Sequence, residues 1–477
     1  MMSLSSILIA LPLLAGLSLF LIKNNAKTIA FFAALANLAL GCYALSGFKT
    51  GNQFETKLTW IAGSNINFHL GLDGISIIMV LLTVFLTPLI ILSSSKLNIK
   101  NAGAFYALVL LAEAALVGVF MAKDAFVFYF FFEVALIPVY FLATIWGGAD
   151  TPKAAFKMFV YTLFGSLLML VALVFLYSKA GSAELASFHN LDLTSNQQYF
   201  VFWCLIIAFG IKMPIFPLHG WQSDAYVESP TTATMILAGI MSKMGVYGLI
   251  RLILPTVPVA VADWGPYVAI LAVIGLIYGS IIAIQQDNIK RLITYSSFAH
   301  VGLIAAGVLT GSIEGVQGAM LQMVAHGLNA VGLFFIVKII YERTNTRSLR
   351  ELGGITQVTP KLTVFFIIIM LGSVALPLTN GFPGEFLLLK SVFNHNTWLG
   401  AIAGLTIIFG AVYMLRMVQK TMFGASNPVT ATFEDVSGSE VAVLLPIAFL
   451  VIAFGIAPNY ILQIAEPAVK SLLQSIY

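Results

Sequence analysis

Apolar stretches of transmembrane length recur along the whole chain, and this feature constrains its fold more than any other. About fourteen such stretches lie between positions 4 and 462, most of them close to the roughly 20 residues that a helix needs to cross a bilayer. Hydrophobic residues make up 60% of the 477 residues and charged residues only 9%, whereas soluble domains carry about 25% charged residues. The sequence therefore predicts an all-α, polytopic integral membrane protein with about fourteen transmembrane helices.

Several classes of function are excluded by what the sequence lacks. Cys42 and Cys204 are far apart and have no cysteine or histidine cluster near them, which excludes structural zinc and iron–sulfur sites. Neither a phosphate-binding loop nor a dinucleotide-binding motif occurs. The net charge of +4 is spread over loops, so nucleic acid is not expected as a partner. Residues 4–22 lack the basic segment and cleavage site of a signal peptide, and we interpret them as a retained helix.

Basic residues are distributed unequally between the loops. Most loop lysines and arginines, among them Lys153, Lys290 and Arg347, follow odd-numbered stretches. Cytoplasmic loops of membrane proteins are enriched in such residues, so we expect these loops to face the cytoplasm and both termini to lie on the opposite side. A surface helix is predicted near residues 463–477.

Two predicted spans are interrupted beside a charged residue. The seventh carries Pro214 and Pro217 just after Lys212, and the twelfth carries residues 381–384, Gly-Phe-Pro-Gly, just before Glu385. Proline breaks a helix, and broken backbone at membrane depth is tolerated only where it is buried in protein or lines a watery cavity. If spans four to eight and nine to thirteen form two units, both breaks fall on the fourth helix. We therefore predict two inverted five-helix repeats, as in many transporters.

Four spans carry an ionisable side chain far from either end: Glu133 in the fifth, Lys212 in the seventh, Lys243 in the eighth and Glu385 in the twelfth. Charge inside a membrane is costly, must find a partner or water, and is usually functional. The alternative interpretation is that these residues form structural pairs that fix helix packing. Four together, two of them beside broken helices, favour a role in moving ions.

Glu133 and Lys212 suggest how protons are moved. Desolvation disfavours the charged form of a lysine in such a site and a nearby carboxylate favours it, and these effects change its proton affinity by about 4 to 7 kcal/mol. Moving one proton against about 200 mV costs about 4.6 kcal/mol. Because these energies are similar, a lysine whose carboxylate partner approaches and withdraws can load and release a proton against the gradient.

His300 in the tenth span and His326 in the eleventh lie between the two halves of this charge series. Each is a candidate proton relay, because histidine changes its charge near physiological pH, but a hydrogen-bonded packing role is an equal alternative. Thr294, Ser296 and Ser297 can hold water nearby or cap neighbouring helices.

Four other polar residues are weaker candidates. Glu113 in the fourth span has neither a break nor a second charge beside it. His219, Asp224 and Glu228, at the end of the seventh span, form either a polar mouth or, more simply, a solvated loop.

Six groups of residues carry a family resemblance. They are residues 71–76 (GLDGIS), Phe131-Phe132-Glu133 through Pro138, Lys212-Met213-Pro214 through Trp221, Asp224-Ala225 with Glu228-Ser229-Pro230, Lys243-Met244-Gly245 with Tyr247-Gly248, and Asp287 through His300. Together they resemble the antiporter-like, proton-translocating subunits of respiratory complex I, over nearly the whole chain. In that family the positions of Glu133, Lys212, Lys243 and Glu385 are proton-channel residues, and histidines at the positions of His300 and His326 link them.

The resemblance also implies partners and a location. It implies that NADH is oxidised by partner subunits that hold FMN and iron–sulfur clusters, that quinone is reduced elsewhere, and that this chain holds no cofactor. Its expected neighbours are membrane lipids and other membrane subunits of the L, N and K/J/A/H types, in the bacterial inner membrane. A glutamate at the position of Glu385 distinguishes one subunit type from the L and N types, which have lysine there. The short tail after the last span also argues against the L type.

We divide the chain into N-terminal helices with an external loop (1–100), an antiporter-like core (101–425) and a C-terminal helix with a tail (426–477). Three alternative functions remain open. A subunit of a multisubunit sodium/proton antiporter or of a membrane-bound hydrogenase shares this fold and would differ in its copurifying partners. In a non-transporting scaffold the charges would serve assembly only. A stand-alone solute transporter would need substrate-recognising groups, which are not evident.

Overall fold

The chain is mostly helical, as the sequence predicts. The computed structural model describes residues 3–22, 24–94, 99–189 and 191–474. Within these ranges ten helices are long and apolar enough to cross a membrane, and Leu4–Leu19 and Pro360–Ser373 are apolar but shorter. The predicted class of a polytopic helical membrane protein is therefore confirmed, whereas the number of fourteen spans stays a prediction.

The helices follow one another with short connections. Those before residue 257 are α1 (Leu4–Leu19), α2 (Ala26–Ser46), α3 (Ser76–Ser93), α4 (Ala102–Met121), α5 (Ala125–Val134), α6 (Leu136–Trp146), α7 (Thr151–Ala180), α8 (Leu185–Phe188), α9 (Ser195–Lys212), α10 (Gln222–Glu228), α11 (Thr231–Ile236), α12 (Ser242–Gly248) and α13 (Leu254–Thr256). Those after it are α14 (Pro258–Gln285), α15 (Ile289–Val308), α16 (Ile313–Thr344), α17 (Pro360–Ser373), α18 (Gly381–His395), α19 (Thr397–Met422), α20 (Gly438–Ile456) and α21 (Asn459–Gln474). A 3₁₀ turn covers Ile355–Gln357.

The eighth predicted span contains two wide turns that the sequence did not reveal. Two π-helical segments, Leu237–Met241 and Leu249–Ile253, lie on either side of α12. With α11 and α13 they form one continuous membrane-length element, Thr231–Thr256, of which 94% of the most apolar window is buried. The corresponding window of α16 is 100% buried. The helices that carry Lys243 and His326 are thus enclosed by protein, as intramembrane charge requires.

The fifth predicted span bends next to Glu133. Helix α5 ends at Val134 and α6 begins at Leu136. Pro138 has no N–H to donate to the Val134 carbonyl, which explains the interruption. Glu133 therefore lies at a helix discontinuity, as does Lys212, where α9 ends as predicted.

The twelfth predicted span is broken upstream of the position that the sequence suggested. Non-helical backbone connects α17 to α18 across residues 374–380, whereas the Gly-Phe-Pro-Gly segment, 381–384, forms the first turn of α18. Proline fits a first turn because its missing N–H would have no intrahelical partner there. Ala375 and Leu378 make the break, with φ values of 58° and 73°.

The predicted external loop contains a β-hairpin, so the chain is not purely α-helical. Strand β1 (Gln53–Ile61) pairs antiparallel with β2 (Ile66–Leu72). Gly63, with a φ of 79°, lies in the turn between them, where glycine adopts this backbone conformation freely. The Lys123 N–H donates to the His69 carbonyl at 2.9 Å and ties the hairpin to the loop before α5. We call this side of the molecule the hairpin end.

The last helix also packs at the hairpin end. Helix α21 lies where a surface helix was predicted, although residues 475–477 of that prediction lie outside the described residues. Its buried side chains are those of Ile461, Ala465, Val469, Leu472 and Leu473. A β-carbon on Gly74, just before α3, would lie 2.0 Å from the Ile464 carbonyl oxygen. Only glycine therefore permits this contact between α21 and the start of α3.

Candidate functional site

The predicted proton-pathway residues all lie on helices in the interior. Glu133 is partly buried. The other five have exposed fractions between 1% and 7%: Lys212, Lys243, His300, His326 and Glu385. Since burial of five ionisable groups is costly, their contacts decide what each can do.

The first group is an acid–base pair, Glu133 on α5 and Lys212 at the end of α9. The two side chains interact electrostatically, but they form no direct ion pair among the described residues. The Ser166 hydroxyl, which donates to the Leu163 carbonyl at 2.9 Å, lies close to the Glu133 carboxyl group. The Lys212 ammonium lies 4.9 Å from the ring centre of Phe132. The two groups therefore interact without a direct hydrogen bond, and their partnership in proton transfer stays a prediction.

A hydrogen bond from an indole N–H connects the two sides of the break after Lys212. The Trp221 N–H donates to the Ile211 carbonyl at 2.9 Å, and this carbonyl belongs to the last helical turn, which lacks intrahelical donors. Helix α12 packs directly against this turn, because a β-carbon on Gly245 would lie only 2.7 Å from the Phe209 carbonyl. The elements that carry Lys212 and Lys243 therefore touch.

The second group begins at Lys243. Its ammonium donates hydrogen bonds to the Ala238 carbonyl at 2.5 Å, the Ser242 hydroxyl at 3.2 Å and His326 Nδ1 at 2.6 Å. Ala238 lies in the π segment Leu237–Met241, and such wide turns occur frequently at functional sites. His326 Nε2 has no partner among the described residues. Lys243 can therefore pass a proton directly to His326.

His300 is held by two backbone carbonyls. The Ser296 oxygen lies 2.8 Å from its Nδ1 and the Ser373 oxygen lies 3.0 Å from its Nε2. A carbonyl only accepts hydrogen bonds, so both contacts are hydrogen bonds only when the ring carries a proton on each nitrogen. Ser373 is the last residue of α17, beside the break. A doubly protonated ring can therefore donate to both carbonyls, whereas a neutral ring can donate to only one of them.

A small polar cavity lies beside the two histidines. Their ring centres are 6.0 Å apart. The cavity has a volume of about 10 Å³ and is lined by polar groups that include Ser296, Ser297 and Gln322, and such a volume is about the minimum for one water molecule. The structure thus brings Lys243, His326 and His300 into one connected group.

Glu385 lies apart from the other charged groups. Its Oε2 has no hydrogen-bond partner within the part of the chain that the structure describes. Gln322 approaches the residue before it, since a β-carbon on Gly384 would lie 2.7 Å from Gln322 Oε1. Tyr413 interacts with Glu385 electrostatically. A buried carboxyl group without a cationic partner is far more stable as the neutral acid.

Lys290 was interpreted from the sequence as a basic loop residue, and the structure corrects this. Its exposed fraction is 1%, and its ammonium donates to the carbonyls of Val227 and Ser229 at 3.0 and 2.6 Å. It thereby fixes the end of α10 beside the predicted polar mouth. Sequence alone gave no signal, because a lysine in the first turn of a helix is usually exposed.

A second unpredicted cluster lies at the hairpin end and consists of Asp73, Lys123 and Arg251. The Asp73 carboxylate accepts hydrogen bonds from Lys123 at 2.7 Å and from Arg251. Burial alone would raise the pKa of Asp73, but the charges of Arg251 and Lys123 hold it well below its usual range. Arg251 lies in the π segment Leu249–Ile253, so the cluster anchors the element that carries Lys243.

The weaker candidates remain separate from both groups. Glu113 accepts a hydrogen bond from Asn37 at 2.8 Å inside the N-terminal helices. Asp224 pairs with Lys157 at 3.0 Å, and the two side chains are 44% and 41% exposed, which fits a solvated loop. The His219 ring stacks on Phe298 with centres 4.6 Å apart. No group of three or more potential metal ligands occurs among the described residues.

The fold and the site together define a class of protein. Broken membrane helices, enclosed ionisable side chains and a connected lysine–histidine group are features of helical ion-translocating proteins. A family model described as "NADH:quinone oxidoreductase/Mrp antiporter, TM" matches residues 122–410. The chain belongs to this family.

Individual relatives match over nearly their whole length. NADH-quinone oxidoreductase subunit M of Rickettsia typhi is 38% identical over 486 aligned residues, which cover 98% of each chain. NADH-ubiquinone oxidoreductase chain 4 of Marchantia polymorpha is 34% identical, over 98% of this chain and 96% of that one. A chain in the solved structure of respiratory complex I from Thermus thermophilus with bound NADH superimposes with a TM-score of 0.93 at 29% identity, over 99% of both chains.

Proposed function

We propose that this chain is a subunit of the M type in a bacterial NADH:quinone oxidoreductase, and that it pumps protons through buried side chains. The relatives named above support the assignment to this complex. The observation that carries the pumping role is the enclosed series of ionisable groups beside two broken helices. Redox chemistry takes place in other subunits, and this chain contributes proton translocation to the reaction of the whole complex.

In the first half of the proposed pathway, Glu133 and Lys212 load and release the proton. The ammonium of Lys212 is stabilised when the Glu133 carboxylate is near and loses that support when it withdraws. Because no direct hydrogen bond joins the two groups, a small movement at the discontinuities beside them changes this support. Lys212 then releases its proton towards α12, which packs against the end of α9.

In the second half, the proton passes along the connected group. Lys243 donates to His326, and His326 and His300 exchange the proton through the small cavity between them. The two carbonyls around His300 stabilise the charged ring until the proton leaves for Glu385. The roles of all six residues, Glu133, Lys212, Lys243, His300, His326 and Glu385, are part of this proposal.

The finer assignments are also part of this proposal. We place the chain in the bacterial inner membrane, among membrane lipids and membrane subunits of the L, N and K/J/A/H types. FMN, iron–sulfur clusters and quinone belong to partner subunits. The antiporter-like core is proposed to cover residues 101–425, between N-terminal helices (1–100) and a C-terminal helix with a tail (426–477).

Purification of the intact assembly tests this proposal. The complex is reconstituted into vesicles, and NADH oxidation with a soluble quinone is measured together with proton uptake into the vesicles. Replacement of Lys243 with Met should leave NADH oxidation by an artificial acceptor unchanged, because this requires only the redox subunits, while proton transport is lost. A Lys243→Met complex that transports protons at the wild-type rate would contradict the proposal.

A sodium/proton antiporter subunit is the alternative that the family description itself supports, because the description covers both kinds of protein. The two functions predict different partners. If NADH-oxidising subunits copurify with the chain, the oxidoreductase assignment holds. If they do not, and vesicles exchange sodium for protons without NADH, the antiporter assignment replaces it.

A further inference from the structure

The proposed pathway leaves a gap between His300 and Glu385. No hydrogen bond joins these residues within the described part of the chain, and Glu385 Oε2 has no partner there. His300 lies on α15 and Glu385 lies on α18. A third helix, α19, packs against both of these helices. A polar side chain on α19 can therefore bridge the two.

Tyr413 provides this polar group. Its side chain is fully buried, with an exposed fraction of 0%, and its hydroxyl oxygen accepts a hydrogen bond from the Ser296 hydroxyl at 3.2 Å. A phenol that accepts one hydrogen bond still has its own proton to donate, and buried tyrosine hydroxyls usually find an acceptor. Helix α19, which carries Tyr413, packs against α18, which carries Glu385, and Glu385 Oε2 is an acceptor without a partner among the described residues. The two side chains also interact electrostatically.

Ser296 connects this hydroxyl to the histidine group. Its backbone carbonyl lies 2.8 Å from His300 Nδ1, and the residue lines the small cavity that His300 and His326 share. A water in this cavity can bridge the imidazolium and the Ser296 hydroxyl. One serine thus touches both the donor side and Tyr413.

We propose that Tyr413 is a proton-relay residue that carries the proton from Ser296 to Glu385, with water bridging the last step. In one transfer the His300 imidazolium loses a proton and the Glu385 carboxylate gains one. The Ser296 and Tyr413 hydroxyls each accept one proton and donate one, so their own composition is unchanged. This inference rests on the proposed function and adds a residue to its second half.

The decisive variant is Tyr413→Phe, which removes the hydroxyl and keeps the ring. The matched control is Tyr106→Phe. Tyr106 has an exposed fraction of 2% and shares a hydrogen bond with the Ser94 hydroxyl at 2.8 Å, so it has the same chemistry on α4, which carries none of the proposed pathway residues. Both variants are made in the whole complex and reconstituted, and assembly is measured by the yield of complex.

We expect Tyr413→Phe to slow proton transport per complex by about tenfold or more, the scale of a lost proton-transfer group. The solvent deuterium isotope effect on coupled turnover should rise, because a proton transfer then limits the rate. Oxidation of NADH by an artificial acceptor should be unchanged, and Tyr106→Phe should behave as wild type. A Tyr413→Phe complex with wild-type transport and isotope effect would overturn the relay.

Two further variants keep the test informative. If Tyr413→Phe fails to assemble, Ser296→Ala removes the donor to Tyr413 and leaves the ring in place. It should slow transport, and normal transport in it would overturn the relay. Lys243→Met separates the two proposals: if it abolishes transport while Tyr413→Phe does not, only the relay is wrong. If Lys243→Met also transports normally, the proposed function itself is wrong.

Discussion

The two broken spans present their charges in different ways. In the first, Lys212 is the last residue before the break, and its acid, Glu133, comes from a separate helix that is itself interrupted. In the second, Glu385 follows the break and has no basic partner among the described residues. Lys243, the lysine of the same part of the proposed pathway, is separated from Glu385 by His300 and His326.

This difference separates two ways of moving a proton through one fold. A pair without a direct hydrogen bond responds to small movements, because each partner changes the other's proton affinity at close range. In the other group only Lys243 and His326 share a direct hydrogen bond, and water in the small cavity is proposed to carry the proton on to His300. Removal of Glu133 leaves the buried charge of Lys212 uncompensated, whereas Glu385 has no cationic partner among the described residues and its removal leaves no charge unpaired.

The largest effect is expected for Lys212→Met, which breaks the pair. Proton transport per complex should fall on the order of 100-fold, because the lysine that is proposed to load the proton together with Glu133 is lost. Transport into vesicles, normalised to the amount of complex, is the measurement. The control is Lys338→Met, since Lys338 is also a buried lysine, with an exposed fraction of 7%, but is paired with Glu342 at 2.8 Å outside the series. Equal transport in Lys212→Met and Lys338→Met would contradict a specific role of Lys212 in loading the proton.

Glu385→Gln and Glu133→Gln compare the two acids directly. In Glu385→Gln the shape is kept and no cation loses its partner, so we expect normal assembly and about tenfold slower transport. In Glu133→Gln, Lys212 loses its countercharge, so both yield and transport per complex should fall. Glu314→Gln is the control, because Glu314 pairs with Lys390 at 3.5 Å on the same two helices as His326 and Glu385. Full transport per complex in Glu133→Gln, with reduced yield only, would support the scaffold alternative.

The element that carries Lys243 is anchored at the hairpin end by the contact between Arg251 and Asp73. Replacement of Asp73 with Asn tests this anchoring role. The substitution leaves Lys123 and Arg251 without their shared carboxylate at the hairpin end, and breaking such a buried pair costs about 3–5 kcal/mol. We expect a lower unfolding temperature of the complex and impaired transport through the Lys243 group. Glu466→Gln is the control, because the Glu466–Lys470 pair on α21 is 42% and 51% exposed and contributes less than about 1 kcal/mol. A similar thermal stability of both variants would contradict the anchoring role.

The smallest effect concerns His189, which follows α8 at the hairpin end. Burial, with a contribution from the Arg251 charge, lowers the pKa of His189 from 6.5 to about 4. The stabilisation is therefore complete above about pH 6.5 and is lost as the pH falls from 6.5 towards 4, because the unfolded segment then binds a proton that the folded one does not.

Hydrogen exchange of α8 at several pH values measures this effect, after correction for the intrinsic pH dependence of exchange. Protection should decrease between pH 7 and pH 5 in the wild type, a range that spans the usual histidine pKa of about 6.5. The decrease should be smaller in His189→Gln. The same decrease in both proteins would show that His189 does not control it.

The sequence predicted those parts of the site that are costly to place in a membrane. Glu133, Lys212 and Glu385 stand out because charge rarely occurs in apolar spans, and Pro214 marks the break after Lys212 because proline has no N–H. The same cost explains why the enclosed positions of Lys243, His300 and His326 could be expected.

What the sequence did not reveal depends on tertiary contacts. Tyr413 looks like an ordinary apolar-span residue, and only the neighbouring Ser296 gives its hydroxyl a role. The break at Ala375 and Leu378 arises from backbone conformations that side-chain type does not specify, whereas the more obvious Pro383 fits a helix start. The hairpin was not predicted because its strands lie in a loop between two apolar spans. The recurrence of apolar spans predicts helices and carries no information about the loops between them.

The two π segments around α12 make the length of that element as important as its composition. Each residue of an α-helix advances the side-chain direction by about 100°, and a wide turn accommodates one residue more than an α-helical turn of the same height. A single deletion within Leu237–Met241 would remove only the extra residue, so the segment would close into a regular helix and Lys243 would stay on the side of His326. A deletion in one of the α-helical turns before this segment would instead rotate Lys243 by about 100° relative to the residues upstream and turn it away from His326, although every side chain of the pathway is still encoded.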